Sequence, residues 1–357
     1  MNKKQFIISL AVLLFITGAF ILYMTLPVFD KDIPEITWVS PYKDINWNTV
    51  IRAKAQFHTH TTLSDGDLSP EELIDAYAKA GFNVLAITDH WKVTYPWENF
   101  NRSAISTGML DIQGAEPSFR GPGQHHIISL YSNLTGKEME FDQALNIINM
   151  IGGLASFAHP ARSTERNNNK PSDYFNYLRK YHQIYGIDIF TRATFSEPER
   201  WPIGMKLYAD ILDYFGEASS TGWRPIWMTS TDDLHKIEDI NQGFQIQLVD
   251  TLNKDHIYNS LLKGNFFWVA NAAEADPPVI TSIDFDKRSI KVKGSGFDKI
   301  SWYFNNHVIH EGNTFNAVKN AGEDVYYVFF TACTSDFSIE KKTGSMIGSQ
   351  PFWINRN

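Results

Sequence analysis

The sequence holds a single cysteine, Cys333. One thiol excludes an intrachain disulfide, a cysteine-based zinc site and a CxxC redox pair, so any metal must be held by histidine and carboxylate. Excess positive charge is missing as well: 32 Lys and Arg stand against 40 Asp and Glu, a formal net charge of −8. A broad basic nucleic-acid surface is therefore not expected, although a local basic groove is compatible with that balance. Low-complexity sequence is almost absent, the three asparagines at 167–169 aside, and no internal repeat is evident. Apolar residues make up 43% and charged residues 20% of the 357. These ordinary values exclude a wholly disordered chain, a collagen-like chain and a polytopic membrane protein. The length suffices for a full core and allows two domains plus a short extra segment.

One long hydrophobic run is present, at the N-terminus. Lys3 and Lys4 precede an uncharged stretch from Gln5 to Phe29, and Asp30 is the first charge after it. Its apolar heart, Phe6 to Leu26, matches the roughly 20 residues that cross a bilayer as a helix. A cleaved secretory signal has an apolar region of only about 7–15 residues and a small-residue cleavage site, and no such site follows here. Residues 1–29 read as an uncleaved signal anchor, a transmembrane helix, with a cleaved signal as the alternative. The positive flank keeps the N-terminus cytoplasmic and sends the rest of the chain to the periplasmic or extracellular side. Either reading exports the body.

Beyond a polar linker over 30–50, short apolar runs alternate with helical patterns. Ala53–Phe57 is strand-like. Ser69-Pro70-Glu71-Glu72 then opens a helix, with Ser69 as cap, Pro70 at the first helical position and Glu72 completing a capping box. Further strands are expected at Val84–Ile87, Leu110–Ile112, His126–Tyr131, Leu154–Phe157, Ile187–Phe190, Ile226–Met228 and Gln245–Val249. Helical patterns fall near Phe141–Ile151, Ser172–Tyr185, Met205–Tyr214 and His256–Leu262. Such alternation predicts an α/β fold with a parallel sheet and crossover helices, more readily closed into a barrel than open. After Pro277-Pro278 the runs become short and alternating, at Ser289–Lys293, Ile300–Phe304 and Val325–Thr331, which predicts a small antiparallel β domain. The expected division is 1–29, 30–50, 51–276 and 277–357, the last a small β-sandwich-like domain.

Eleven histidines are present, and seven of them fall at or just after predicted strands: His58, His60, His90, His125, His126, His159 and His235. In parallel α/β architectures the C-terminal strand ends converge on the active site. An extended backbone puts both imidazoles of His58-Thr59-His60 on one side. Asp65 follows in a turn, Thr88-Asp89-His90 ends the next strand, Glu116 and His159 end two more, and Asp232-Asp233-Leu234-His235 follows another. A lone strand-end histidine is more often a hydrogen-bonded core or surface residue, and His182, His256, His307 and His310 are read that way. The combined pattern is a ligand set for hydrolytic Zn, Mn or Fe.

Phe57-His58-Thr59-His60-Thr61, Ser64-Asp65-Gly66, the Ser69-Pro70-Glu71-Glu72-Leu73 helix start and Ile87-Thr88-Asp89-His90 resemble the first motif block of the PHP family, the polymerase-and-histidinol-phosphatase superfamily of metal-dependent phosphoesterases. Gly114-Ala115-Glu116, His126-Ile127-Ile128-Ser129-Leu130, Ala158-His159-Pro160 and Asp233-Leu234-His235 resemble its later motifs, in order, and the resemblance spans about residues 54–270. The resemblance implies a distorted seven-stranded β/α barrel with two to three divalent metals (Mn, Zn or Fe) at the strand ends. His58, His60, Glu116 and Asp233 would hold the first metal. Glu116 would bridge to a second, completed by His126 and His159, and Asp65, His90 and His235 would hold a third. His125 competes with His126, which directly opens the Ile-Ile-Ser-Leu run as in the motif. Asp232 competes with Asp233, which the D-x-H spacing favours. Asp65 stands where some members carry histidine, and Asp89 reads as a partner behind the ligands.

Hydrolysis by a metal-activated water is the expected chemistry. Arg162, just after Ala158-His159-Pro160-Ala161, is placed to grip a phosphate by a two-pronged contact, or is a surface loop arginine. Residues 164–170 form either a rim or a solvated loop. Trp91, Tyr95 and Trp97 either pack their loop, the preferred reading, or stack a base or sugar. Three functions fit: a phosphoesterase acting on a small phosphorylated substrate, a nuclease acting on nucleic-acid ends, which the acidic balance disfavours, and a non-catalytic metal-holding surface protein.

Overall fold

The computed structural model describes residues 35–120, 123–137, 139–272 and 276–356, with the backbone alone at 166 and 167. The apolar stretch from Gln5 to Phe29 lies outside the described residues. Among the described residues no helix is long and apolar enough to cross a membrane.

Local sequence signals account for most of the first half. Strands β1 (Ile36–Val39) and β2 (Ile51–Gln56) precede helix α1 (Pro70–Lys79). The expected capping box is formed: Glu72 N donates to Ser69 Oγ (3.3 Å) and Ser69 N to Glu72 Oε2 (2.8 Å). Leu73, Ile74 and Tyr77 form its buried face. Strand β3 (Val84–Ile87), short helix α2 (Ala104–Thr107), β4 (Leu110–Ala115), β5 (Ile127–Leu130), α3 (Phe141–Met150) and β6 (Leu154–Phe157) follow. Next come α4 (Pro160–Asn167), α5 (Pro171–Lys180), β7 (Ile184–Thr191), α6 (Arg192–Ser196), α7 (Arg200–Phe215), β8 (Trp227–Thr231), β9 (Gly243–Val249), α8 (Lys254–Lys263) and β10 (Phe266–Asn271). Within the stretch read as a linker, Ile36–Val39 pair in a sheet beside the C-terminal strand.

The sheet is not uniformly parallel, contrary to the expectation. The pairs β2–β3, β3–β4, β6–β7 and β7–β8 are parallel, but β5 runs antiparallel to both β4 and β6, and β9 runs antiparallel to β2 and β10. The physical reason for the reversal at β5 is the connection. Parallel neighbours need a long crossover, usually a helix, and among the described residues no helix lies between β4 and β5.

The C-terminal part is antiparallel β structure: β11 (Val279–Phe285), β12 (Ser289–Ser295), β13 (Lys299–Phe304), β14 (His307–Glu311), β15 (Thr314–Asn316), β16 (Tyr327–Cys333), β17 (Ser345–Gly348) and β18 (Phe352–Arg356). Strands β11, β12 and β15 form a three-stranded sheet. Its Ile283, Ile290, Val292 and Phe315 pack in one core with Ile300, Trp302, Phe330 and Phe352 of the other C-terminal strands. Through β10–β17 pairing, the larger sheet runs on from the helix-alternating part into this region. The fold is thus mixed α/β with an additional C-terminal β sheet.

Among the described residues no backbone ladder joins β8 to β9 or β10. Side chains bridge that edge instead. Ser230 Oγ donates to Val269 O (2.6 Å). Gln350 accepts from Met228 N (2.8 Å) and donates to Met228 O (2.9 Å), so one amide does for Met228 what a neighbouring strand would. Tyr42 links the same place: its hydroxyl donates to Phe266 O (2.8 Å) and accepts from Gln350 N (2.8 Å).

Replacing Gln350 by alanine leaves two buried backbone groups unpaired, at about 1–3 kcal/mol each. Gln350→Ala is expected to lose about 2–6 kcal/mol in urea unfolding. A loss under about 0.5 kcal/mol would show that the amide closes nothing.

Candidate metal centre

The strands of the first half deliver their chemistry just beyond their C-terminal ends. Extended backbone continues past the named strands and is stitched by single bridges: Thr59 to Leu234, His90 to Glu116, and Ser118 to His126. His60 N donates to Leu234 O (2.9 Å) and Thr88 N to Thr59 O (2.9 Å). Behind these segments sits Asp89, buried and held by four hydrogen bonds. Its carboxylate accepts from Thr61 N (2.7 Å), Thr61 Oγ1 (2.8 Å), Ser64 Oγ (2.7 Å) and Thr94 Oγ1 (2.5 Å). This clamps the turn that carries Asp65. Gly66 is required there, because a Cβ would lie 2.3 Å from His60 O.

The nine side chains selected from the sequence all reach one cluster, in overlapping groups of three. These are His58–His60–Glu116, His58–His159–Asp233, His60–Asp65–His90, His60–Asp233–His235 and His90–Glu116–His126. His58 Nε2 lies 3.3 Å from Glu116 Oε2 and 3.2 Å from Asp233 Oδ1. His60 Nε2 lies 3.2 and 3.4 Å from the same two atoms. Glu116 Oε1 faces His126 Nδ1 (2.9 Å) and His159 Nε2 (3.2 Å). Asp65 Oδ2 faces Nε2 of both His90 and His235, at 3.4 Å each. His58 Nε2, His60 Nε2 and Glu116 Oε2 are buried and close together, yet none makes a hydrogen bond. These three atoms face common points between them, which is what a shared cation requires.

Residues 56–219 match the family model of the PHP domain. Asp233 and His235 lie beyond the matched residues but share the cluster. Among solved structures, the chain is similar to a two-domain protein from Bacteroides vulgatus containing a predicted PHP-like metal-dependent phosphoesterase. The identity is 12%, the coverage 88% of this chain and 98% of that one, and the TM-score 0.51, a likeness of fold. A lesion-specific endonuclease from Pyrococcus furiosus matches at 14% identity over 59% of this chain and 56% of its own, with a TM-score of 0.39. An amidohydrolase from Chromobacterium violaceum matches at 15% identity over 52% of this chain and 88% of its own, with a TM-score of 0.34. No curated protein matches the chain in sequence.

In this cluster the charges are polarised by one another. Burial works against the charged form of His58, but Asp233 and Glu116 outweigh it and hold its pKa well above the ordinary histidine value. His60 is likewise pulled down by burial and lifted more strongly by Asp233 and Glu116, to about 9. Burial disfavours the Glu116 carboxylate, yet His58 and His126 hold its pKa well below the usual range. Asp233 is lowered in the same way, with His58 and His60 overcoming its burial. Burial leaves His90 and His159 below the ordinary value.

At both positions where the motifs offer two neighbours, the two side chains point different ways. His126 faces Glu116. His125 instead packs among Phe141, Phe157, Tyr174 and Tyr177, and Asn169 Nδ2 lies 3.1 Å from its Nδ1. Asp233 enters the cluster from a left-handed backbone, φ 49°. Asp232 turns away, accepting from Tyr77 Oη (2.7 Å) and from the backbone N–H groups of Asn241, Gln242 and Gly243. Arg162 lies in the first turn of α4, with its N donating to His159 O (3.0 Å). Most of the segment read as a rim or loop is the end of α4. Trp97 is fully buried and Trp91 packs edge-on against Phe119, as the packing reading expects. Tyr95 Oη accepts from Lys254 Nζ (3.1 Å).

Three neighbours of the cluster were not singled out by sequence. Ser118 Oγ is 2.6 Å from His90 Nδ1. Arg192 donates from Nε to Asp233 O (2.7 Å), pairs with Asp239 (3.1 Å) and reaches His235 Nδ1 (3.1 Å). Asp188 lies 3.6 Å from His58 Nδ1. Its one sequence signal is an acid inside an apolar run.

Two expectations follow. The raised His60 pKa contributes stability that is full below about 6.5 and lost as pH climbs through about 9. Metal-free protein should therefore unfold at lower denaturant above pH 9 than at pH 6, and equal midpoints would contradict the charge assignment. Asp232→Ala should cost about 3 kcal/mol or more in unfolding, because three backbone donors lose their acceptor, while leaving divalent-metal uptake unchanged. Loss of metal uptake with normal stability would reverse the roles of Asp232 and Asp233.

Proposed function

We propose that this chain is a metal-dependent phosphoesterase hydrolysing a phosphate mono- or diester of a small phosphorylated substrate. The observation that carries the reading is the convergence on buried Glu116 of imidazoles from His58, His60, His90, His126 and His159. The donor set is all imidazole and carboxylate, which suits Mn, Zn or Fe. His58, His60, Glu116 and Asp233 would hold one ion, and Glu116, His126 and His159 a second. Asp65, His90 and His235 would hold a third.

When bound, such ions supply Lewis acidity: they activate water and offset phosphate charge. The chain's own residues do the rest. Glu116 offers Oε1 toward His126 and His159 and Oε2 toward His58 and His60, so a single carboxylate spans two positions. Asp65, about half exposed, marks the solvent side, where substrate arrives. Arg162, on the turn that follows His159, is proposed to grip the phosphate. The open ladder at β8 is compatible with residues 51–276 as a distorted seven-stranded barrel, followed by a β-sandwich-like domain over 277–357. Residues 1–29 are proposed to anchor the catalytic part on the exported side of a membrane.

The test is turnover of p-nitrophenyl phosphate and bis(p-nitrophenyl) phosphate by the full chain with Mn or Zn. Hydrolysis of at least one ester, abolished by chelator and by His58→Ala, is expected. Turnover that survives His58→Ala would end the metal mechanism. Cleavage of an oligonucleotide with neither ester touched would replace the small substrate by nucleic-acid ends.

A further inference from the structure

Asp188 stands apart from the nine clustered residues. It lies within β7 between Ile187 and Ile189 and is only 2% exposed. A carboxylate in such a strand is costly unless its oxygens are engaged. Two engagements come from β8. Thr229 Oγ1 donates to Asp188 Oδ1, and Thr231 Oγ1 donates to Oδ2 (2.9 Å). Strand periodicity puts Thr229 and Thr231 on one face, and Asp188 pairs with Thr229 in the β7–β8 register. The two hydroxyls thus fix the carboxylate's plane.

The same Oδ2 faces His58 Nδ1 at 3.6 Å. That separation is longer than a formed hydrogen bond, but Nδ1 is buried and has no hydrogen-bond partner among the described residues. The opposite ring nitrogen, Nε2, looks into the cluster toward Glu116 and Asp233. A neutral imidazole carries one proton and one lone pair. If the proton sits on Nε2, His58 cannot ligate at the side where the other candidate ligands are.

The geometry points to Asp188 as a positioning residue for the metal centre: it keeps the His58 proton on Nδ1 and so reserves the Nε2 lone pair for the ion. Pairing of this type orients a ligating histidine and raises its basicity. The assignment rests on the metal-centre reading of the cluster. It differs from a purely structural tie between β7 and β8, which an asparagine amide could also make with the two threonine hydroxyls.

The test compares the full chain with Asp188→Asn by titrating metal-free protein with Zn²⁺ against a chromogenic chelator. The expected result is a zinc affinity weaker by about 10–100-fold with an unchanged melting temperature of the metal-free protein. Long-range 15N–1H spectra of the zinc-loaded proteins give a second readout. The wild type should show the His58 proton on Nδ1, and the variant should show it lost or redistributed. Should Asp188→Asn fail to fold, Thr231→Val keeps the carboxylate but frees one of its oxygens, and a several-fold weaker zinc affinity is expected. Wild-type affinity and an unaltered Nδ1 proton in a folded variant would overturn the proposal. A wild-type chain that binds no zinc would overturn the metal reading itself, and this assignment with it.

Discussion

The arrangement depends on one buried carboxylate. Glu116 has no exposed surface, and its two oxygens lie within 3.3 Å of nitrogens from five histidines. Removing such an anion from water costs several kcal/mol after relaxation, and only nearby positive charge can offset that. In the metal-free protein that offset comes from the neighbouring imidazoles, His58 first and His126 next. Divalent ions would replace protons on the imidazoles, which couples metal uptake to pH.

That demand explains much of the surrounding architecture. Backbone extends past the ends of β2, β3 and β4 and is held by bridges, so that His58, His60, His90 and Glu116 meet at one level. Asp89 secures the Thr61–Ser64 turn, and Arg192 braces the Asp233–His235 turn from the other side. Asp233 accepts a left-handed backbone to present its carboxylate, the kind of local strain that functional sites tolerate. The C-terminal region contributes at a distance, since Gln350, tied to Tyr42 from the N-terminal side, bridges the sheet edge at β8.

Sequence pattern reached the elements with strong local signals. The capping box at Ser69, the strand at Val84–Ile87 and the strand at Leu154–Phe157 stand where composition and caps put them. Strand direction was not legible: β5 is reversed, and among the described residues its connection to β4 shows no crossover helix, a property of topology that no window of residues contains. For the site, motif order carried all nine residues into one cluster. The supporting shell was harder to read. Asp188 and Arg192 act through β7–β8 register and through the turn at Asp233, so their partners lie about 40 residues away. At His125-His126 the motif favours the second, which opens the Ile-Ile-Ser-Leu run; in the structure His126 faces Glu116 and His125 faces Phe157 and Tyr174.

The most direct measurement is the location of metal by anomalous diffraction, on crystals of the full chain grown with Mn²⁺ or Zn²⁺. The account predicts two or three peaks. One lies among His58, His60, Glu116 and Asp233, one among Glu116, His126 and His159, and a third, where present, lies among Asp65, His90 and His235. A chain that carries no metal, or carries it only away from Glu116, would contradict the account.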